Sequence, residues 1–349
     1  MTAAGRIELA RRSMRCLDCG VTAYPLDDRI GLHGFLSPGA ARLACLLAAD
    51  HSFAIAADRL AVLAGIRLDD ETIRRHCHEA AGVATARREA SDPPGFADAD
   101  AEGEVEFLTD GVMAPTRDGW REVKMTQFQR RERGEPAEVA AWASRQLPAP
   151  TAAVAYAAPL EAEALAATWR PRAERLGIDP DGPLTILGDG AEWIRRADAA
   201  FPAAERILDI FHASGHIALA ANALFGEGTP QATDWLEQAQ LALLRDGWPG
   251  LLDHIGATPS EGRSPAGQAG LDEMVGYFAG RTDRLGYFGR LRTGRSIGSG
   301  AVEGLARRLG RRLKVAGRGW DAENLEGMAT LIVTVDTPEW DQLWDRPAA

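Results

Sequence analysis

The chain has 349 residues, 46% apolar and 26% charged, enough for two or three domains with a full hydrophobic core. Four cysteines are too few for a disulfide scaffold. No apolar run approaches the roughly 20 residues of a membrane span, and the N-terminus carries no apolar leader; these features predict a cytoplasmic protein with reduced thiols and no membrane partner. The net charge of −11 argues against nucleic acid only as an average. Residues 281–318 hold eleven basic side chains against Asp283 and Glu303, a local +9 in a chain that is −20 elsewhere. Lys124 and Lys314 are the only lysines, so this patch is nearly all guanidinium, whose fork suits phosphate oxygens. A general bias toward Arg and Ala accounts for part of the same pattern.

Residues 1–35 read as a loop-rich remnant of a cysteine knuckle, with Cys16-Leu17-Asp18-Cys19-Gly20. Two thiolates without a partner pair do not make a structural zinc site, and Cys45 and Cys77 fall on apolar helix faces as core. Residues 36–82 read as three helices: 38–49, then 52–63 with Ser52 as cap and Gly65 as stop, then a helix from Asp69 or Asp70 to about 81. In the third, Ile73, Cys77 and Ala80 share one face, leaving Arg74, Arg75 and His78 outward. The arrangement fits a small helix-turn-helix-like DNA-binding domain, with those side chains toward a groove; any three-helix bundle with a polar outer face has the same pattern. A linker follows over 83–103, marked by Ser91-Asp92-Pro93-Pro94-Gly95.

The pattern then changes to strands at 104–114 and 120–129 around an Arg117-Asp118-Gly119 hairpin, and at 152–157. A helix at 160–176, a strand at 184–187, a helix at 191–200 and a strand at 207–211 complete the first part of a core, residues 104–212. The order β-β-β-α-β-α-β is that of a mixed ribonuclease H-like sheet in an α/β fold. Helices at 213–224, 229–246, 248–255 and 271–287, with a loop at 258–270, form a helical insertion over 213–290. The last part of the core, 291–349, holds an arginine-rich helix from 299 to about 315, stopped by Gly317-Arg318-Gly319, then a helix at 321–331 and a short tail.

Asp110 and Asp189 each end an apolar strand before a glycine, which places them at the sheet edge where open α/β folds bind ligands; the glycine allows close approach of a substrate backbone. Asp-Gly is also a plain turn signal, so it is the pair at equivalent strand ends that carries weight. Converging carboxylates call for a cation, and hard oxygen donors suit Mg²⁺ or Mn²⁺. Glu303 opens the arginine-rich helix after Gly298-Ser299-Gly300. It is either a carboxylate favoured at a positive helix end or a third metal ligand. Arg307 with Arg311 and Arg308 with Arg312 repeat at i,i+4, and with Lys314 they form two basic rows beside it. Asp209 and His212 lie three residues apart at a strand end, with His216 one turn on. Asp209, His212 and His216 fall short of a zinc site, and none is predicted.

Leu108-Thr109-Asp110-Gly111, Trp120-Arg121-Glu122-Val123-Lys124, Gly188-Asp189-Gly190-Ala191-Glu192-Trp193-Ile194, Leu208-Asp209-x-x-His212-Ala213-Ser214 and Ile297-Gly298-Ser299-Gly300-x-Val302-Glu303, taken in order, resemble the ISKra-type bacterial insertion-sequence transposases, over about residues 10–345. The resemblance implies a ribonuclease H-like core with an Asp-Asp-Glu triad at Asp110, Asp189 and Glu303, holding Mg²⁺ or Mn²⁺. It implies cleavage at transposon ends with transfer of the 3′-hydroxyl to target DNA, and action as a homo-oligomer. Asp209-x-x-His212 matches an accessory motif of related transposases; spacing leaves open whether Asp189 or Asp209 is the second triad member, and the glycines flanking Asp189 favour it. Two departures stand out. A second cysteine pair expected ahead of Cys16 is missing, which reads as an N-terminally shortened copy, and Gly215 stands where an acid is expected before His216. Two further readings follow: a DNA-binding remnant without chemistry, docking through Arg74, Arg75 and residues 307–318, and a cellular structure-specific nuclease on the same fold.

Overall fold

The Arg117-Asp118-Gly119 turn joins two long strands, β3 (Glu104–Thr116) and β4 (Gly119–Arg131). These are preceded in the chain by a two-strand hairpin, β1 (Met14–Arg15) and β2 (Thr22–Ala23). With β5 (Ala152–Ala158), β6 (Thr185–Gly188) and β7 (Glu205–Leu208), they form a five-stranded mixed sheet in the order β5-β4-β3-β6-β7. The first three strands are antiparallel neighbours, whereas β6 and β7 run parallel to β3. The computed structural model describes residues 1–3, 7–32, 35–90, 96, 102–314, 319–335 and 337–344. The linker residues 91–95 and 97–101, and Gly317 and Arg318 of the expected helix stop, lie outside the described residues.

Alternation along the strands sends side chains to two cores. On one face Phe107, Phe128, Ile186 and Phe201 pack under α5 (Ala162–Arg175) and α6 (Ala197–Ala200). Phe107 sits 5.0–5.2 Å, ring centre to ring centre, from Phe128, Trp169 and Phe201, and the Trp169 indole N–H donates to Thr126 Oγ1 at 2.9 Å. On the other face Leu108, Val112, Met125, Leu187 and Ile207 join one continuous core with the remaining helices. This core includes α2 (Pro38–Asp50), α3 (Phe53–Ala64) and α4 (Asp70–Ala90) from the N-terminal region. The caps expected for α3 are present: Ser52 accepts from the Ile55 amide, and Gly65 takes φ 65°. Ile73, Cys77 and Ala80 are buried, as are Cys45 and Ala48 opposite them.

After β7 come α7 (Ile210–Phe225), α8 (Pro230–Ala257), α9 (Pro265–Ala279) and α10 (Tyr287–Arg292). The break expected between two helices near 247 is a kink inside α8, where Gly247 takes φ 64° and ψ −143°. Next are α11 (Gly300–Leu313), α12 (Ala322–Thr334) and α13 (Pro338–Trp344). A short helix, α1 (Pro25–Ile30), follows β2 in the segment expected to be loop. No described helix is long and apolar enough to cross a membrane.

β3 and β4 run two residues past their expected C-terminal ends, the helix expected at 191–200 is a 3-10 turn followed by α6, and other boundaries also differ from expectation. The strand expected at 207–211 stops at Leu208, because Asp209 accepts the amides of Phe211 and His212 and starts α7. The third N-terminal helix runs to Ala90, into the expected linker. The helix expected at 271–287 begins at Pro265, capped by Ser264, and ends at Ala279 before α10 opens at Tyr287. The tail forms α13, with Trp340 buried.

The segment from Arg290 to Ser299 ties the two ends of the sheet together. At the start of β3 and β7, buried Arg290 donates to Glu104, Glu205 and Thr185 Oγ1, and Arg295 also pairs with Glu104 and Glu205. Ser296 then donates to buried Glu106. At the far end Ile297 O accepts the Ile210 amide at 3.1 Å. The chain thus travels the length of the parallel strands and delivers α11 at their C-terminal ends.

Candidate active site

Parallel pairing sets the level of the acids. Glu106 lies opposite Thr185 and Leu108 opposite Leu187; two residues further, the same register aligns Asp110 with Asp189. Gly188 lies opposite Leu208, which aligns Asp189 with Asp209. The three aspartates share the face of Leu108, Leu187 and Ile207, onto which α11 packs: a Cβ at Gly310 would lie 3.4 Å from Val112. Glu303, two turns before Gly310, reaches the same corner.

Asp110 records this convergence. Burial, chiefly, pushes its carboxyl up to about 6, with Asp189 and Glu303 adding to the rise and the Gly111 amide and His212 opposing it. One Asp110 oxygen accepts the Gly111 N–H at 2.7 Å, and one Asp189 oxygen accepts the Ala191 N–H at 2.8 Å. Glu303 is partly exposed and faces Arg307 at 3.6 Å. His212 is exposed on the first turn of α7.

Asp209 is spent differently. It is fully buried; one oxygen accepts the Phe211 and His212 amides at 2.6 and 3.0 Å, and the other accepts the Ser299 amide and hydroxyl. A carboxylate holding four donors is a structural bracket. Here it fixes the start of α7 and the lead-in to α11, and so the position of Glu303.

Two glycines differ from the open approach expected of them. A Cβ at Gly111 would lie 2.1 Å from Glu122 Oε1, and one at Gly190 would lie 2.4 Å from Arg281 Nε. Protein side chains therefore occupy both spaces. Arg281 donates to Gly190 O at 2.8 Å, Tyr277 Oη donates to Asp189 O at 2.8 Å, and Tyr287 Oη donates to Leu208 O at 2.9 Å. The Tyr277 ring stacks on His216 at 3.6 Å, and burial, with Asp189 and Asp209 nearby, raises its hydroxyl to about 12. These insertion residues clamp the strand ends. Sequence reading missed them because nothing local marks a tyrosine in α9 as a partner of residue 189.

The two basic rows of α11 separate. The Arg307 and Arg311 side chains are 79% and 71% exposed, with Arg311 3.8 Å from Asp50, and Lys314 is exposed one turn on. Arg308 is 13% exposed and paired with Asp50 at 2.9 Å. Arg312 is 3% exposed, donates to Ala48 O and lies over the Phe53 and Trp320 rings. The expectation that Arg308 and Arg312 face phosphates is corrected: a 100° helical step turns this row toward α2. On α4, Arg74 pairs with Glu71 at 2.5 Å and Arg75 lies 3.9 Å from Glu79. His78, expected outward, is half-buried edge-on to Phe53. Cys16 and Cys19 are both exposed in the β1–β2 hairpin.

The donor set at the corner, three carboxylates of which Asp110 is raised chiefly by burial, fits a hard divalent cation in its chemistry. Among the described residues, no three His, Cys, Asp or Glu side chains form a group that could hold a metal ion as they stand. No model of a known protein family matches the chain, and no curated protein matches it.

Proposed function

We propose that the chain is a metal-dependent transposase of the Asp-Asp-Glu class on a ribonuclease H-like sheet. The strand order and directions, three antiparallel strands followed by two parallel to the first, agree with that fold. The observation that carries the reading is the register that sets Asp110 level with Asp189, with α11, the helix of Glu303, packed on the same face; Asp189 and Glu303 add to a rise of the Asp110 carboxyl that burial chiefly causes. Asp110, Asp189 and Glu303 would hold Mg²⁺ or Mn²⁺, which when bound activates water or a 3′-hydroxyl and stabilises the leaving oxygen of a phosphodiester. Arg307, Arg311 and Lys314 hold the flanking phosphates. Asp209 and the Tyr277–Arg281 clamp keep the acids in register, and His212 stands over the corner beside Asp110. The substrate is DNA, cut at transposon ends and then joined through the freed 3′-hydroxyl to target DNA, with copies of the chain acting together on paired ends.

The test is nicking of DNA carrying the inverted repeats that flank the coding sequence, with Mg²⁺ or Mn²⁺. Asp110→Ala, Asp189→Ala and Glu303→Ala should each abolish nicking and leave salt-dependent DNA binding in place. Nicking that survives all three refutes the assignment. Binding without nicking in either metal supports a DNA-binding chain without chemistry. Cutting of branched DNA regardless of end sequence supports a cellular nuclease.

A further inference from the structure

Beside the acid corner lies a shallow trough of about 440 Å³, lined by Phe211, His212, Gly215, His216 and Leu219 of α7 and by Glu303 of α11. Phe211 and Leu219 are 54% and 63% exposed, on a helix whose Ile210, Ala213, Ile217, Ala220 and Ala221 are buried. The Phe211 ring is held in place: it packs against Trp142 at 5.7 Å, and a Cβ at Gly298 would lie 3.0 Å from its Cε2. Gly298 is therefore kept bare by an aromatic ring that still presents most of its surface to solvent. Gly215 leaves the floor open, since a Cβ there would meet nothing within 4 Å. Arg307 borders the trough through Glu303, and Arg311 and Lys314 continue the cationic row away from it.

A fixed, exposed aromatic face with a cationic rail alongside is the combination that binds single-stranded nucleic acid: bases stack on the ring while phosphates follow the charges. The geometry points to this trough as a seat for an unpaired nucleotide at a DNA end, its base stacked on Phe211 and its phosphate toward Arg307. The inference deepens the nucleic-acid reading of the acid corner and rests on it. It adds that the strand beside the reacting phosphate is unpaired when bound, and that recognition there is by π-stacking and therefore tolerant of base identity. Burial and Arg281 lower the His216 imidazole below its ordinary value.

The experiment uses the full chain in chelator, so that no chemistry is required. The probes are a hairpin duplex with a short 3′ overhang ending in 2-aminopurine, the same duplex with an abasic terminus, and a blunt duplex. Stacking predicts that the wild-type protein quenches 2-aminopurine and prefers the overhang to the blunt and abasic probes by about 10-fold. Phe211→Leu, which keeps an apolar side chain against Trp142 and removes the aromatic face, should erase both effects. Phe211→Trp should retain them, and Arg307→Ala should weaken all three probes with a shallower salt dependence. Equal binding of the three probes by the wild-type protein, or a Phe211→Leu variant that still quenches, overturns the inference. If metal-dependent nicking is seen with these outcomes, the transposase reading survives and only the trough assignment falls. If quenching is Phe211-dependent but no metal supports nicking, the trough stands and the transposase reading falls.

Discussion

Asp110→Asn measures the electrostatic cost of the acid corner apart from the chemistry proposed for it. The Asp110 carboxyl moves from an ordinary 3.8 to about 6 on folding, chiefly through burial and then through Asp189 and Glu303. Between these values the folded chain binds more proton than the unfolded one, so stability falls as pH rises through this window. The full shift corresponds to about 3 kcal/mol, and solvent screening of a partly exposed group reduces this to about 2 kcal/mol. Asparagine removes the charge and keeps an oxygen for the Gly111 amide. At pH 7.5 in chelator, Asp110→Asn should therefore be more stable than wild type by about 2 kcal/mol, or about 3 °C in melting temperature for a chain of 349 residues. The difference should vanish near pH 4, and millimolar Mg²⁺ should raise the wild-type melting temperature more than that of the variant. Thermal melts at four or five pH values supply the assay. A variant no more stable than wild type at pH 7.5, or a gap that is the same at pH 4, refutes the account of Asp110.

Arg312→Met should lower stability by about 2–4 kcal/mol, because Ala48 O loses a buried donor; Arg307→Ala should leave the melting temperature unchanged and weaken DNA binding, and calorimetry with anisotropy checks both. Asp209→Ala strips acceptors from three amides and a hydroxyl and should cost about 3 kcal/mol, whereas Asp189→Asn should melt like wild type yet fail to nick. Tyr277→Phe removes the donor to Asp189 O, worth about 1 kcal/mol; it should lower the nicking rate with DNA affinity unchanged, measured by single-turnover kinetics.

Much of the fold was legible because its signals are local. Ser52 and Gly65 bracket α3 by capping chemistry, Arg117-Asp118-Gly119 turns β3 into β4, and Gly247, two residues before Pro249, kinks α8. Asp189 follows the end of β6 as its apolar run and glycine suggest, whereas the strand end expected at Asp110 is corrected: β3 continues through Gly111 to Thr116, because β4 keeps pairing with it as far as the 117–119 turn, and Asp110 lies mid-strand opposite Met125. What escaped depends on contacts distant in sequence. Asp209 reads as the end of an apolar strand until its partners, Ser299 among them, are known. Arg307 and Arg308 are neighbours of identical chemistry, and only the arrival of α2 with Asp50 decides which of them faces solvent. The glycines at 111 and 190 announce close approach, but not by what: Glu122 and Arg281 fill those spaces.

The suture between α2 and α11 has a mechanical consequence. Asp50 grips Arg308, and Ala48 receives Arg312 beneath the Phe53 and Trp320 rings, so the N-terminal helices and the helix that carries Glu303 form a single lever. A shift of α2 would therefore move the helix that bears Glu303. The placement of Glu303 thus depends on contacts with a helix some 250 residues earlier in the chain.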